Sequence, residues 1–380
     1  MKIVIATDSF KGTLSSVEAG HAIRDGVLRV RPDAEVTVVP MADGGEGTVE
    51  AVLAGAGGTR IEADVLDPLG RPVRAAFGRL PDGRTAIVEM AASSGLTLLS
   101  PDERDPLRTS TFGTGQQLAA ALNAGATRVL IGVGGSATVD GGCGCAQALG
   151  VQFVSEDGTV LPAGLAGGDL HRVHHVDVSA RDVRLDAVEL VVLCDVQNPL
   201  CGPNGASAVY GPQKGAGPEQ VRRLEANLRH LTQVIERDLG IAVADLPGGG
   251  ASGGLAAGLV AFLGGRMHSG VESVIELTRL FERVQGADLV ITGEGRFDAQ
   301  SRMGKTVWGV AACARRAGVP VIVIAGQVAG EAVRCEADGI AAVCAVSGPQ
   351  DPVPDSPATA AQQLRDRTAE FLRERFRSQE

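Results

Sequence analysis

The chain alternates between short continuous apolar runs and glycine-rich polar turns, and the runs near its two ends follow the same grammar. Residues 2–7 (KIVIAT) and 35–39 (EVTVV) are β-branched runs, each followed by a polar turn and then by apolar residues at helical spacing. The first helix is predicted over 15–30, with Val17, Ala19, Ile23, Val27 and Leu28 in helical register behind a Ser15-x-x-Glu18 capping box. A second helix is predicted over 48–54. The pattern returns with a strand at 288–292 (DLVIT), a helix over 307–317 and a strand at 319–325 (VPVIVIA). Unbroken apolar strands joined by helices are those of a parallel sheet covered on both faces.

Between these segments the pattern changes. From 59 to 99 short alternating runs are broken by PLGRP and PDGR turns, an antiparallel signature. A helix over 114–122, a strand at 128–133, a glycine-rich turn and the small-residue segment 143–150 follow, then strands at 151–155 and 188–194. Residues 220–239 form the longest amphipathic pattern, with Val221, Leu224, Leu228, Leu231, Ile235 and Leu239 on one face. A second glycine-rich entry, LPGGGASGGLAAGLVAFLGG, leads into a helix, and another is predicted over 271–280. The expected fold is α/β: a doubly wound parallel-sheet domain built from both chain ends, residues 1–60 and 285–380, with a mixed α/β domain, 61–284, inserted and the active site in the cleft between them. The C-terminal helix around 361–376 reads as charged and peripheral.

Composition narrows the function classes. A net charge of −10 argues against a nucleic-acid or anionic-membrane footprint, because both need clustered Lys and Arg. The seven cysteines are odd in number, begin only at Cys143 and make no metal-ligand spacing, so they read as small buried hydrophobes in a reducing cytoplasm. No apolar run is long enough to span a membrane.

Candidate chemistry sits at the ends of the predicted strands. Asp8…Lys11, Asp43…Glu46, Asp195…Asn198 and Glu294…Asp298 each place a carboxylate just past an apolar run, where open α/β sheets bind ligands. Each alone is ordinary loop chemistry. Together they suit a divalent cation bridging phosphate oxygens. The turn after the strand at 128–133 brings Gly134, Gly135, Ser136, Thr138 and Asp140 to the start of a helix, an arrangement that offers backbone N–H groups to an anion. Gly132-x-Gly134-x-x-Ala137 also fits a dinucleotide fingerprint, with Asp140-Gly141-Gly142 delaying the helix. Gly304-Lys305-Thr306 ends like a Walker A loop, but Ala299 stands where its first glycine belongs. The nucleophile elbow is absent, since Thr138 stands where it needs glycine. Lys11, Lys214 and Lys305 lie in glycine-flanked loops as candidate phosphate clamps.

The segments ATDSFKGTLSSVEAGHAIRDG, PMADGGEGT, IGVGGSATVDGG, LCDVQNPLCGPNGA, YGPQKGA and VITGEGRFDAQSRMGK, in this order, closely resemble the bacterial glycerate kinase family of the glyoxylate and glucarate pathways. The resemblance implies a Rossmann-like α/β domain carrying a second α/β domain, and ATP- and Mg²⁺-dependent phosphorylation of D-glycerate, to 2-phosphoglycerate in most bacterial members. Val139 stands where the family usually has Asn. Strand-end position makes Asp195 the first choice and Asp43 the second for orienting or deprotonating the glycerate hydroxyl. Lys11 would assist catalysis, and with Lys214 would neutralise the glycerate carboxylate or the transferring phosphate. Asp8, Ser9, Glu46 and Asn198 complete the substrate set, Gly134, Gly135, Ser136, Thr138, Asp140 and Lys305 the nucleotide set, and Glu294 and Asp298 are the expected metal ligands. The expected partners are glycerate and ATP, with no nucleic acid or membrane, and a homodimer stays open. An NAD(P)-dependent oxidoreductase of a small hydroxy acid and a non-catalytic nucleotide-binding regulator remain as alternatives.

Overall fold

The computed structural model describes residues 1–298, 306–329, 339–348 and 351–377. In chain order its main elements are β1 (Lys2–Thr7), α1 (Ser16–Leu28), β2 (Glu35–Val38), α2 (Thr48–Ala56), β3 (Thr59–Leu66), β4 (Pro72–Arg79), β5 (Thr85–Glu89), α3 (Phe112–Asn123), β6 (Arg128–Gly132), α4 (Cys143–Ala148), β7 (Glu189–Leu193), α5 (Pro218–Leu239), α6 (Leu255–Leu263), β8 (Arg266–His268), α7 (Gly270–Leu277), β9 (Leu289–Gly293), α8 (Thr306–Arg316), β10 (Val321–Ala325), β11 (Ile340–Ala345) and α9 (Pro357–Arg377). They fall into two units, Met1–Asp43 with Glu50–Gly57 and Val271–Glu380, and Gly44–Val49 with Gly58–Gly270. Residues 271–284, assigned to the inserted domain from sequence, thus cluster with the first unit.

In the first unit the described strands form a wholly parallel sheet in the order β11-β10-β9-β1-β2. The register sets Ile3 beside Leu289 and Ile5 beside Ile291, and β1, β9 and β10 bury their apolar residues on both faces, as a helix-covered parallel sheet requires. β2 is the edge, and its Glu35 is exposed. The capping box forms as predicted, with Ser15 and Glu18 closing the N-terminus of α1. The helix expected over 271–280 stops at Leu277, because Arg279 takes left-handed backbone (φ 53°) before a short helix begins at Leu280.

The C-terminal helix is not peripheral. Ala360, Leu364 and Leu372 of α9 are buried in the same core cluster as Ile23 and Val27 of α1. Among α9's many charges the four-residue spacing of Ala360, Leu364, Thr368 and Leu372 makes a narrow buried stripe.

The second unit is built on a mixed sheet, β8-β7-β6-β5-β4-β3. β3, β4 and β5 pair antiparallel, as their alternation predicts, and β5 through β8 pair parallel. α5 lays Leu224, Leu228, Leu231 and Ile235 into the core cluster that also holds Ile131, Phe153, Leu255 and Phe262. The described cysteines are free, and all but half-buried Cys194 are buried. Among the described residues no helix is long and apolar enough to cross a membrane.

Gly26 of α1 reports directly on the α1–α9 packing, since a Cβ there would stand 2.6 Å from the Arg365 carbonyl oxygen and 2.8 Å from Thr368 Cβ. In a helix exposed at that position Gly→Ala would gain about 0.5–1 kcal/mol. Here Gly26→Ala should instead lose about 1–3 kcal/mol through overpacking, read as a lower urea midpoint at unchanged slope. A stabilised variant would mean that α9 does not pack as described.

Candidate active site

β1 and β9 are neighbours whose chains leave in opposite directions. β1 continues through α1 to β2 on one side, and β9 through α8 to β10 on the other. That is the topological switch point of a doubly wound sheet, where a crevice opens beyond the strand ends. A cavity of about 400 Å³ lies there, and Asp8, Ser9, Lys11, Asp43, Glu294 and Asp298 all line it. Six residues chosen from three separate motifs are thus gathered within one unit.

The chain after β1 is a tight turn. Phe10 and Leu14 exchange backbone hydrogen bonds of 2.9 and 3.0 Å, and Thr13 Oγ1 donates to the Phe10 carbonyl at 2.7 Å. Exposed Lys11 rides on that turn beside Gly12, whose φ of 80° favours glycine. Asp8 is fixed by its own N–H, donated to Gly293 O at 2.9 Å. Its carboxylate accepts from Ser9 N and from Thr306 Oγ1, both at 2.6 Å. Burial first, and the negative charge of Asp43 second, push the Asp8 carboxyl up to about 7 against the pull of Thr306, Ser9 N–H and Lys11. Thr306, at the start of α8, is a contributor that the motif reading passed over once the Walker A test failed. Asp298 pairs with Arg296 at 3.3 Å.

In the second unit the turn after β6 is turned inward. Asp140 is wholly buried, and its carboxylate accepts from Thr111 N and Oγ1, both at 2.7 Å, from Gly142 N at 3.1 Å and from Gly144 N at 3.3 Å. Desolvation pushes its pKa up and these donors oppose that. The N–H groups at the start of α4 are therefore directed to the protein's own carboxylate. Gly134 N donates to Gly44 O at 3.1 Å and Ala137 N to Ser94 O at 2.9 Å. Ser136 and Thr138 are buried, so Gly134 and Gly135 alone of the named turn residues reach the surface. Ser252, unflagged by the sequence, holds the strand end by donating to Val133 O from a left-handed conformation (φ 52°).

Lys214 is buried beside this turn. It is 1% exposed, and Nζ donates to Ser136 Oγ and to Thr138 O, each at 2.7 Å. Burial lowers its pKa to about 7, opposed by the charge of Asp140. Both bonds brace the turn from the interior. Asn198 is likewise committed to its loop, donating to Asn204 O at 2.9 Å and accepting from Tyr210 Oη at 2.7 Å. Asp195 is half-buried and accepts from Ser269 Oγ at 2.7 Å and Gly270 N at 3.0 Å. Glu46 is exposed. Lys305 lies outside the described residues.

Glu89 was missed. This buried residue ends β5 and accepts from Gly47 N at 3.2 Å and from Val49 N, so it fixes the loop that follows Asp43 and carries Glu46. Burial pushes it up to about 7. A lone carboxylate closing the apolar run TAIVE was the available signal.

The cavity's donor set suits a hard cation. Mg²⁺ commonly takes one or two protein carboxylates and completes its shell with water and phosphate oxygens. Glu294 and Asp298 supply such a pair in the same cavity as Asp8 and Asp43. Among the described residues no three His, Cys, Asp or Glu side chains are gathered as a closed cage.

Comparison with known proteins gives the family. The sequence model of the glycerate kinase family matches residues 3–375. A glycerate kinase of Bacillus subtilis is 47% identical over 369 residues, covering 97% of this chain and 96% of the relative. The glycerate 2-kinase of Escherichia coli is 47% identical over 346 residues, 91% of this chain and 90% of the relative. A crystal structure of a protein provisionally named glycerate kinase 2, from Salmonella typhimurium, superposes with a TM-score of 0.86 at 43% identity, over 100% of this chain and 99% of that one. The chain belongs to the glycerate kinase family, and it is an enzyme.

Proposed function

We propose that the enzyme transfers the terminal phosphoryl group of ATP to the C2 hydroxyl of D-glycerate, giving 2-phosphoglycerate and ADP. The observation that carries this reading is the convergence of Asp8, Asp43, Glu294, Asp298 and Lys11 on one cavity at the switch point of a parallel sheet. The Escherichia coli relative's name, glycerate 2-kinase, supports C2 as the accepting position.

Phosphoryl transfer asks a protein chiefly for positioning and charge neutralisation. Glu294 and Asp298 would hold Mg²⁺, whose chemistry is to neutralise charge on the phosphate oxygens. Lys11, on its short turn, neutralises the transferring group. The glycerate oxygen bonds to the terminal phosphorus as the bond to the bridging oxygen of ADP breaks, and the hydroxyl proton passes to a carboxylate. Asp8 suits that role, because a carboxyl near 7 is a far stronger base than an ordinary aspartate. Asp43 lines the same cavity and raises Asp8 by its charge. Asp195, first choice from sequence, is the competing base.

Three outcomes follow. Phosphorus-coupled NMR of the product from D-glycerate and ATP should place phosphate on C2, and a C3 product would reverse the regiochemistry. Asp8→Asn should lower kcat by on the order of 10²–10⁴ in an ADP-release assay. If Asp195→Asn shows that loss and Asp8→Asn does not, the base is Asp195. The pH profile gives the third. The raised pKa keeps Asp8 protonated until about pH 7, so kcat/KM should fall with acid below about 7 instead of near the usual 4. Residual activity of Asp8→Asn should lose the limb, and its persistence would assign it to another group.

A further inference from the structure

The lining of the first unit's cavity is sorted by strand. Its carboxylates follow β1, β2 and β9, on one side of the sheet order β11-β10-β9-β1-β2. The lining that follows β10 and β11 includes Val346, Ser347, Val353 and Pro354, joined by Gln363 and Leu364 of α9. None of the described lining residues on that side is charged. Val353 is 68% exposed, an aliphatic side chain held toward solvent within the polar stretch QDPVPDSP.

Glycerate does not account for this half. A three-carbon hydroxy acid has no apolar face to set against aliphatic side chains, and sites of roughly 300–1,000 Å³ enclose much larger ligands. A planar heterocyclic base has the missing properties, with two faces to bury against Val346 and Val353 and an edge of donors and acceptors. The Gln363 amide offers both kinds of partner. Its attached phosphates would then extend toward the acids and Lys11.

We propose that the uncharged half of this cavity, beyond β10 and β11, binds the base and sugar of the nucleoside triphosphate. The inference rests on the kinase reading above and adds the location of the nucleoside. It also moves the nucleotide from the turn at 134–140, whose side chains are buried, to the first unit.

Val353→Asp tests it, since an exposed side chain can be changed without disturbing the core. Calorimetric titration of the full-length enzyme with ADP and Mg²⁺ should show a Kd raised about ten-fold or more, as expected when a charge meets an apolar ligand face. The KM for D-glycerate should stay within about two-fold. Inorganic tripolyphosphate, which has no base, should inhibit wild type and variant alike. Unchanged ADP affinity overturns the proposal, and so does a raised glycerate KM with ADP affinity held. Equal weakening of ADP and tripolyphosphate also overturns it, because the effect would then be on the phosphates. A wild type that binds ADP but phosphorylates no hydroxy acid would sink the kinase reading alone, and the titration would still decide the pocket.

Discussion

A carboxylate buried at the end of a parallel strand beside a second acid resists ionising, and the turn after β1 is arranged around that constraint. Asp8 shows it most directly, since burial and the charge of Asp43 both disfavour its anion. The compensations are local. Thr306 and the Ser9 N–H donate to it, and Lys11 adds a positive charge from the next turn. A group balanced in this way changes protonation near neutrality. Close approach of the strand ends makes the balance attainable. A Cβ on Gly295 would stand 3.1 Å from Lys11 N, and one on Gly326 only 2.5 Å from Gly295 O. Side chains at either glycine would push apart the turns that carry the acids and the lysine.

The second unit handles charge in the opposite way. Asp140 and Lys214 are buried and use their polar atoms on backbone and hydroxyl groups of the interior. Asp140 satisfies N–H groups where the chain turns into α4, which a glycine-rich segment would otherwise leave without partners. Lys214 ties Ser136 and Thr138 together from the far side. Removing either charge alone would strand the donors or acceptors it serves, which makes both groups structurally demanding. The turn after β6 is thereby held rigidly, and its exposed surface is reduced to Gly134 and Gly135.

How much could be read from the sequence follows from the same contrast. Strand and helix positions were legible because apolar periodicity is a property of the chain itself, and the Ser15–Glu18 box was legible because its partners are three residues apart. The acids of DSFKG, MADGG and GEGRFD were legible as a set because strand ends converge whatever the details of packing. Direction was not legible. VGGSATVDGG carries the same letters whether Asp140 points to solvent or to Thr111, and only burial distinguishes an anion-binding turn from one filled by its own carboxylate. The burial of Lys214 is illegible for the same reason, since glycine-flanked loops are usually exposed. Glu89 was hidden inside an apolar strand, and the stripe Ala360, Leu364, Thr368, Leu372 was hidden among the charges of α9. In each case the deciding partner lies far away in sequence.

Val139 gains a definite meaning from this arrangement. It stands where the resemblance leads one to expect the amide of Asn. Its side chain instead belongs to the second unit's core cluster and is fully buried. The neighbouring backbone is equally enclosed, since a Cβ on Gly253 would lie 2.6 Å from Val139 Cα and one on Gly167 2.5 Å from its carbonyl oxygen. An amide in that place would need buried hydrogen-bond partners, whereas valine needs none and joins the apolar core. The substitution therefore exchanges polar for apolar packing behind the turn. It leaves Gly134 and Gly135, the parts that reach the surface, and the acids of the first unit untouched.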